Sequence, residues 1–246
     1  FKPKITVTMA LDMSAVGNPK RVIVCVYDES AGVWIPVGGV ADAETGTITF
    51  TTSHFSTYAA FEHVKQFDDV TADWSKEKVE ILASRMLING KSEERFAPED
   101  TITRAETVAL MVRSLYPEYV SGEPVFVDVP DDAWFSKEVQ TAYELGLTKG
   151  VGGGRFAPHE PVTREQLATM AVRLYLCKHE QLPEGLQPLS FSDEQEISDF
   201  AAEAVRFASG AGIMIGYDGR FDPKRTASRQ EMAVMLYRLL EYMGEL

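Results

Sequence analysis

The 246-residue chain carries 37 acidic against 24 basic side chains, a formal net charge of −13. That balance argues against a nucleic-acid backbone or an anionic membrane as partner, and an anion can bind only at a local cluster of Arg and backbone N–H groups. A composition of 45% hydrophobic and 25% charged residues is that of a globular protein with room for one large domain or two smaller ones, and no apolar run reaches the about 18 residues that a membrane-spanning helix needs.

Residues 1–63 read as all-β. Ile5 to Met9 alternates, Arg21 to Tyr27 is β-branched and apolar, and Val33 to Val37 follows the turn Ser30-Ala31-Gly32. Thr47 to Phe50 and Phe55 to Ala60 complete a set of short strands separated by turn signals, the pattern of a small sandwich-like module. The opening Phe1-Lys2-Pro3 is already strand-like, with no signal peptide before it, so the chain reads as part of a longer protein. About 60 residues make a thin independent core, and further strands are expected upstream.

From Phe67 the pattern changes to helix-loop-helix units. Arg95-Phe96, Arg155-Phe156 and Arg220-Phe221 are each followed two residues later by Pro98, Pro158 or Pro223. Upstream stand Phe67-Asp68-Asp69, Phe126-Val127-Asp128 and Phe191-Ser192-Asp193. Between the marks, Val79, Val139 and Val205, then Leu82, Ala142 and Ala208, take matching core positions of a first helix. Three units of about 60 residues in register form an internal repeat, whose members must share one core because none can bury its apolar face alone. Linkers fall at Tyr116 to Pro124 and Leu182 to Pro188.

Each second helix opens on a capping signature: Thr103-Arg104-Ala105-Glu106, Thr163-Arg164-Glu165-Gln166 and Ser228-Arg229-Gln230-Glu231. Thr or Ser caps the N–H three residues on, and Glu or Gln reaches back to the cap. The Arg between them is unfavourable, because the positive end of a helix dipole disfavours a cation by about 0.3–1 kcal/mol. Either an internal carboxylate, the aromatic-x-Asp group being the nearest candidate, or an anionic ligand compensates it.

These marks together resemble the S-layer homology domain in a set of three: aromatic-x-Asp-Val, a following Trp74 or Trp134, a Gly-Ile/Leu-x-x-Gly turn, Arg-Phe-x-Pro and the Thr-Arg-Ala-Glu tetrad. The resemblance implies a mainly α fold, three helix-loop-helix repeats in a pseudo-threefold spindle at residues 64–121, 122–186 and 187–246, behind the β segment. It also implies an extracellular, cell-surface location. The implied function is non-covalent anchoring through secondary cell-wall polysaccharide, often carrying ketal-linked pyruvate, bound in grooves between repeats. Carried over, the ligand-binding residues are Arg104, Arg164 and Arg229, with Asp69, Asp128 and Asp193, Trp74 and Trp134, and the glycines Gly150, Gly152, Gly153 and Gly216. The stretch Ser53-His54-Phe55-Ser56-Thr57-Tyr58 is similar to modules that precede such repeats. A pyruvyl carboxylate would meet unpaired N–H groups and an Arg fork at each helix start, and Gly150 to Gly154 is expected to lie beside Arg164.

The repeats differ. Met86 stands where Gly146 and Gly212 do, Ser92-Glu93-Glu94 where Gly152-Gly153-Gly154 do, Gln166 in place of a tetrad Glu, and Asp199-Phe200 where a Trp is expected. The two Trp residues read either as helix-start core anchors or as sugar platforms. Self-assembly into a surface lattice is the alternative function. No enzyme is expected: no pair of carboxylates is singled out as glycosidase chemistry needs, and no Gly-x-Ser-x-Gly or phosphate-binding loop occurs. No cofactor is expected. No metal site is expected either, since no calcium-loop spacing is present. The distant Cys25 and Cys177 read as buried thiols, and the four histidines form no ligand pair.

Overall fold

The computed structural model describes residues 4–115, 119 and 125–246. The expected strand-like opening at 1–3 and most of the linker at 116–124 lie outside them. The chain forms two compact units, Phe1–Ala97 with Gly244–Leu246, and Pro98–Met243. Among the described residues there are six strands and six α-helices, so the mainly α expectation describes the repeats and not the whole chain.

In the first unit, β1 (Ile5–Ala10), β5 (Thr47–Thr52) and β4 (Val40–Asp42) make one antiparallel sheet, and β3 (Val33–Gly38), β2 (Val22–Asp28) and β6 (Tyr58–Glu62) make another. Period-two alternation sends Val22 and Val24 of β2 and Ile48 and Phe50 of β5 into a shared core, with Val7, Met9, Val37, Tyr58 and Ala60 packed around it. The short β4 was not foreseen, because Val40-Ala41-Asp42 is too brief to show alternation. The last strand starts at Tyr58 and not Phe55, because residues 53–57 cross from one sheet to the other.

The β segment is tied to the first helix of repeat 1, α1 (Asp73–Ser84), by polar contacts. Arg85, directly after it, is fully buried and donates to the carbonyls of Val22 (2.9 Å) and Gly39 (2.7 Å). Glu80 on the same helix meets Arg21 at 3.1 Å. The β segment and α1 therefore share one unit, and the boundary between the two units falls inside repeat 1.

The second unit holds α2 (Arg104–Ser114), α3 (Ser136–Glu144), α4 (Arg164–Leu176), α5 (Ala202–Gly210) and α6 (Arg229–Tyr242). The aligned positions Val139, Ala142, Val205 and Ala208 are buried, as are Val79 and Leu82 in the first unit. The residues just before the three capping boxes close a ring. Ile102 N–H donates to Ala227, Ala227 to Val162, and Val162 to Ile102, at 3.1, 2.8 and 3.1 Å. Cys25 is buried in β2, and Cys177 caps the end of α4.

Each first helix ends on a left-handed residue: Gly146 at φ 73°, Gly212 at 71°, and Met86 at 60°. A side chain there costs about 1–2 kcal/mol, against about 0.5–1 kcal/mol of backbone entropy that glycine forfeits on folding. Met86 is half exposed and loses little burial on removal. Met86→Gly should therefore stabilise the protein by about 0.5–1 kcal/mol, while Met86→Ala should not; a urea midpoint unchanged or lowered in Met86→Gly would refute this.

Candidate functional site

The three capping boxes form as expected. Thr103, Thr163 and Ser228 each accept from the N–H three residues on, and Glu106, Gln166 and Glu231 return to the cap N–H at 3.0, 3.0 and 2.9 Å. The next two donors are not left for a ligand. Arg104 and Ala105 N–H donate to the carbonyls of Glu160 and Pro158 in repeat 2. Arg164 and Glu165 donate to Arg225 and Pro223 in repeat 3, and Arg229 and Gln230 to Asp100 and Pro98 in repeat 1. The expectation of unpaired N–H groups at these helix starts is thus corrected: each helix closes on the loop of the next repeat.

The tetrad arginines follow the same cyclic order, and all three are at most 9% exposed. Arg104 Nε donates to the Phe156 carbonyl (2.8 Å), with its guanidinium 5.0 Å from that ring's centre. Arg164 Nε donates to Phe221 (2.7 Å) with the ring at 5.1 Å, and its Nη1 meets Glu231 at 2.6 Å. Arg229 meets Glu106 at 3.2 Å. The ion-pair partner of Arg164 and of Arg229 is therefore the capping Glu of the next repeat, not the aromatic-x-Asp carboxylate. It also follows that Gly150 to Gly154, which lead into Phe156, lie on the side of Arg104 and not Arg164.

The third pair is missing. Gln166 occupies the position of Glu106 and Glu231, and its Oε1 is fixed on Thr163 N–H. Its other terminal atom is then an amide donor where the other repeats offer a carboxylate oxygen. Among the described residues Arg104 forms no ion pair, and burial pulls its pKa down against the more distant attraction of Glu160.

The Asp residues serve the loops. Asp69 accepts from Phe96 and Ala97 N–H, Asp128 from Phe156 and Ala157, and Asp193 from Phe221 and Asp222, all at 2.7–2.9 Å. Ala97, Ala157 and Asp222 have φ of 54–59°, so each pair of successive N–H groups forms a concave anion nest, here filled by the protein's own carboxylate. The Arg preceding each Phe lies 3.5–3.8 Å from the same carboxylate. With both oxygens engaged, these Asp residues position the loop that meets the tetrad Arg.

The core-anchor alternative for the tryptophans does not hold. Trp74, Trp134 and, in repeat 3, Phe200 are 46–61% exposed, and it is Phe135 that is buried beside Trp134. Arg113 of α2 lies 5.9 Å from the Trp134 ring. The glycines divide. A Cβ on Gly150 would lie 2.5 Å from both the Arg155 carbonyl and the Phe126 ring, and one on Gly216 would lie 2.3 Å from the Arg220 carbonyl. Those two serve close packing. Gly152 and Gly153 face open space at φ 100° and 59°, which leaves their backbone approachable.

Sequence reasoning missed the cross-repeat partners Glu106 and Glu231, and the triad in which Glu165 accepts from Lys224 (2.7 Å) and Ser198 (2.9 Å). The Gln166 substitution was visible, but its consequence needed the fold. Among the described residues no group of His, Cys, Asp and Glu is placed to hold a metal, and no helix is long and apolar enough to cross a membrane.

Burial alone would raise the carboxyls of Asp69, Asp128 and Asp193; the backbone donors and the neighbouring Arg outweigh it and hold all three below the ordinary 3.8. A depressed native value means that the unfolded chain binds more protons, so this stabilisation is complete above about pH 4–5 and is lost as pH falls through 3.8 and below. Asp193→Ala, which orphans two donors, should cost about 2–4 kcal/mol at pH 7. It should also flatten the acid limb of the stability profile; an acid limb as steep as in the parent protein would contradict this role.

The profile of the S-layer homology domain matches residues 66–108, 125–168 and 190–233. The amylopullulanase of Thermoanaerobacterium thermosulfurigenes is 37% identical over 243 residues, 98% of this chain and 13% of that protein. The exoglucanase XynX of Acetivibrio thermocellus is 34% identical over 178 residues, 71% of this chain and 16% of that protein. The S-layer protein sap of Bacillus anthracis is 26% identical over 182 residues, 73% of this chain and 22% of that protein. The chain thus spans less than a quarter of the length of these relatives. It belongs to the S-layer homology domain family, cell-wall anchoring modules of the cell surface, and carries three copies of that domain.

Proposed function

We propose that this chain anchors a larger surface protein by holding an anionic secondary cell-wall polysaccharide, with a ketal-linked pyruvate as its charge, at Arg104. The observation that carries the reading is the absent third ion pair. Arg164 and Arg229 meet the carboxylates of Glu231, which Arg225 shares, and Glu106, while the residue that corresponds to those carboxylates for Arg104 is Gln166. Two sets of donors with no acceptor between them suit a carboxylate, which can take both. Gly152 and Gly153 leave backbone open on the same side, and Trp134 is an exposed ring of the same repeat on which a sugar face can stack. Repeat 1 has Glu94, and Glu93 paired with Lys65, in its corresponding loop in place of glycines. The threefold spindle is part of this proposal, supported by the ring through Ile102, Val162 and Ala227. The match to the amylopullulanase runs through the β segment as well as the repeats, and we take a polysaccharide-degrading enzyme as the carried protein.

The test is co-sedimentation with cell-wall sacculi, before and after acid stripping of the polysaccharide. Gln166→Glu supplies the missing carboxylate and should weaken binding about 10–100-fold, the equivalent of one charge-assisted contact of about 1.5–3 kcal/mol, with the fold as stable as before or more so. Gly153→Glu should weaken binding likewise, at a cost of about 1–2 kcal/mol in stability because the position has φ 59°. Arg164→Ala breaks a buried pair and should destabilise by about 3–5 kcal/mol, yet leave binding by the folded fraction nearly unchanged. Parent-like binding by Gln166→Glu, or binding that survives acid stripping, would remove the proposal. The S-layer names among the relatives support lattice assembly as a second reading, which predicts ordered self-association without sacculi.

A further inference from the structure

The anchoring reading leaves one motif of the β segment unused. Residues 53–57 carry the chain from β5 to β6, and the connection is pinned at both ends. On the near side, Tyr58 Oη donates to the His54 carbonyl at 2.8 Å. Thr52 Oγ1 lies 2.6 Å from Tyr58 Oη and accepts from His54 N–H at 3.4 Å. On the far side, Tyr27 N–H holds the Thr57 carbonyl at 2.9 Å. Between the pins, Phe55 and Ser56 make no hydrogen bond among the described residues, and Phe55 is 89% exposed. An aromatic side chain held out in water adds nothing to the core of a module whose core is small.

His54 is placed by its neighbours. Its Nδ1 lies 3.4 Å from Tyr58 Oη, and the two rings are near parallel at 6.3 Å. In the tautomer whose Nδ1–H donates to the phenol oxygen, the free lone pair lies on Nε2. The segment therefore puts, in order, a histidine with an available base, a free peptide bond, and a serine hydroxyl with no other partner. A serine on the C-terminal side of a peptide bond reaches the preceding carbonyl carbon through a five-membered ring, so that proximity is built into the chain.

We propose that the Phe55–Ser56 bond is cut by the protein itself. Ser56 Oγ attacks the Phe55 carbonyl carbon, and the His54 imidazole takes the hydroxyl proton. The Oγ–C bond forms, the Phe55 C–N bond breaks, and the proton passes to the departing Ser56 amine. The resulting ester is hydrolysed by water, the only co-reactant, to a Phe55 carboxylate and a free Ser56 hydroxyl. No redox change occurs. The two pieces remain joined without a covalent bond, because β6 stays paired with β2 from Val22↔Glu62 to Val26↔Tyr58. Everything N-terminal to the cut would then hang on the anchor through strand pairing and core packing.

The experiment is intact-mass spectrometry and denaturing electrophoresis of the purified 246-residue chain during incubation at neutral to mildly alkaline pH, with and without hydroxylamine to capture the ester. The expected products are one fragment ending at Phe55 and one beginning at Ser56, co-eluting under native conditions, with hydroxylamine speeding their appearance. Ser56→Ala should abolish cleavage, and His54→Ala should slow it at least tenfold. Both side chains are exposed, so circular dichroism should show both variants folded. An intact chain under every condition would overturn the proposal, and so would cleavage at this bond that persists in Ser56→Ala, the signature of a contaminating protease.

Discussion

Everything in the helical unit depends on where its helix N-termini send their hydrogen bonds. An α-helix starts with N–H groups that have no partner inside it. Here the cap takes one, and the following repeat takes the next two through its loop carbonyls, three times around. A repeat on its own would leave those donors and the matching carbonyls without partners, at about 1–3 kcal/mol for each group that stays buried. The ring through Ile102, Val162 and Ala227 is the centre of the same arrangement. The repeats are therefore links in a closed circuit of hydrogen bonds, and the apolar core beneath them is sealed by it.

The sequence marks are coupled by that circuit. Asp128 fills the nest of Phe156 and Ala157, which holds Ala157 in a left-handed conformation. That conformation turns the chain so that the Phe156 carbonyl faces Arg104 and the carbonyls of Pro158 and Glu160 face the start of α2. The aromatic-x-Asp signal, the Arg-Phe pair, the proline and the tetrad thus belong to one device. The fixed eight-residue step from Phe to tetrad Arg is its length along the chain. The price of a left-handed alanine is offset by two charge-assisted hydrogen bonds, each stronger than a neutral one.

What could be read beforehand divides along the same line. Capping boxes, repeat register and core positions such as Val139 and Ala208 depend on residues within one helix or one turn, and periodicity reveals them. The partner of Arg164 is Glu231, 67 positions away in the next repeat, and nothing local marks that pairing. Exposure of Trp134 was undecidable because its neighbour Phe135 is an equally good core residue, and the fold buries Phe135. The start of β6 was misplaced because Phe55 looks like the first inward residue of a strand. Its neighbours Thr52 and Tyr58 instead join their hydroxyls beneath the turn, a tertiary choice that alternation does not encode.

The cation at the first turn of each helix is the last piece. The dipole argument against it assumes bare N–H groups facing the side chain. Once those N–H groups are bonded to carbonyls of the next repeat, much of that local positive charge is compensated, and the Arg extends over a Phe ring toward a carboxylate one repeat on. Arg164 already has a carboxylate at 2.6 Å, Glu231, which the half-exposed Arg225 shares, and a ligand anion would have to compete with it. At Arg104 no such pair needs breaking, because Gln166 presents a donor. In a chain with a net charge of −13, long-range attraction of an anion is absent, so affinity must come from short-range contacts. Under the proposed function, the repeat boundary at Arg104, whose buried guanidinium has no carboxylate partner among the described residues, is where those contacts would be made.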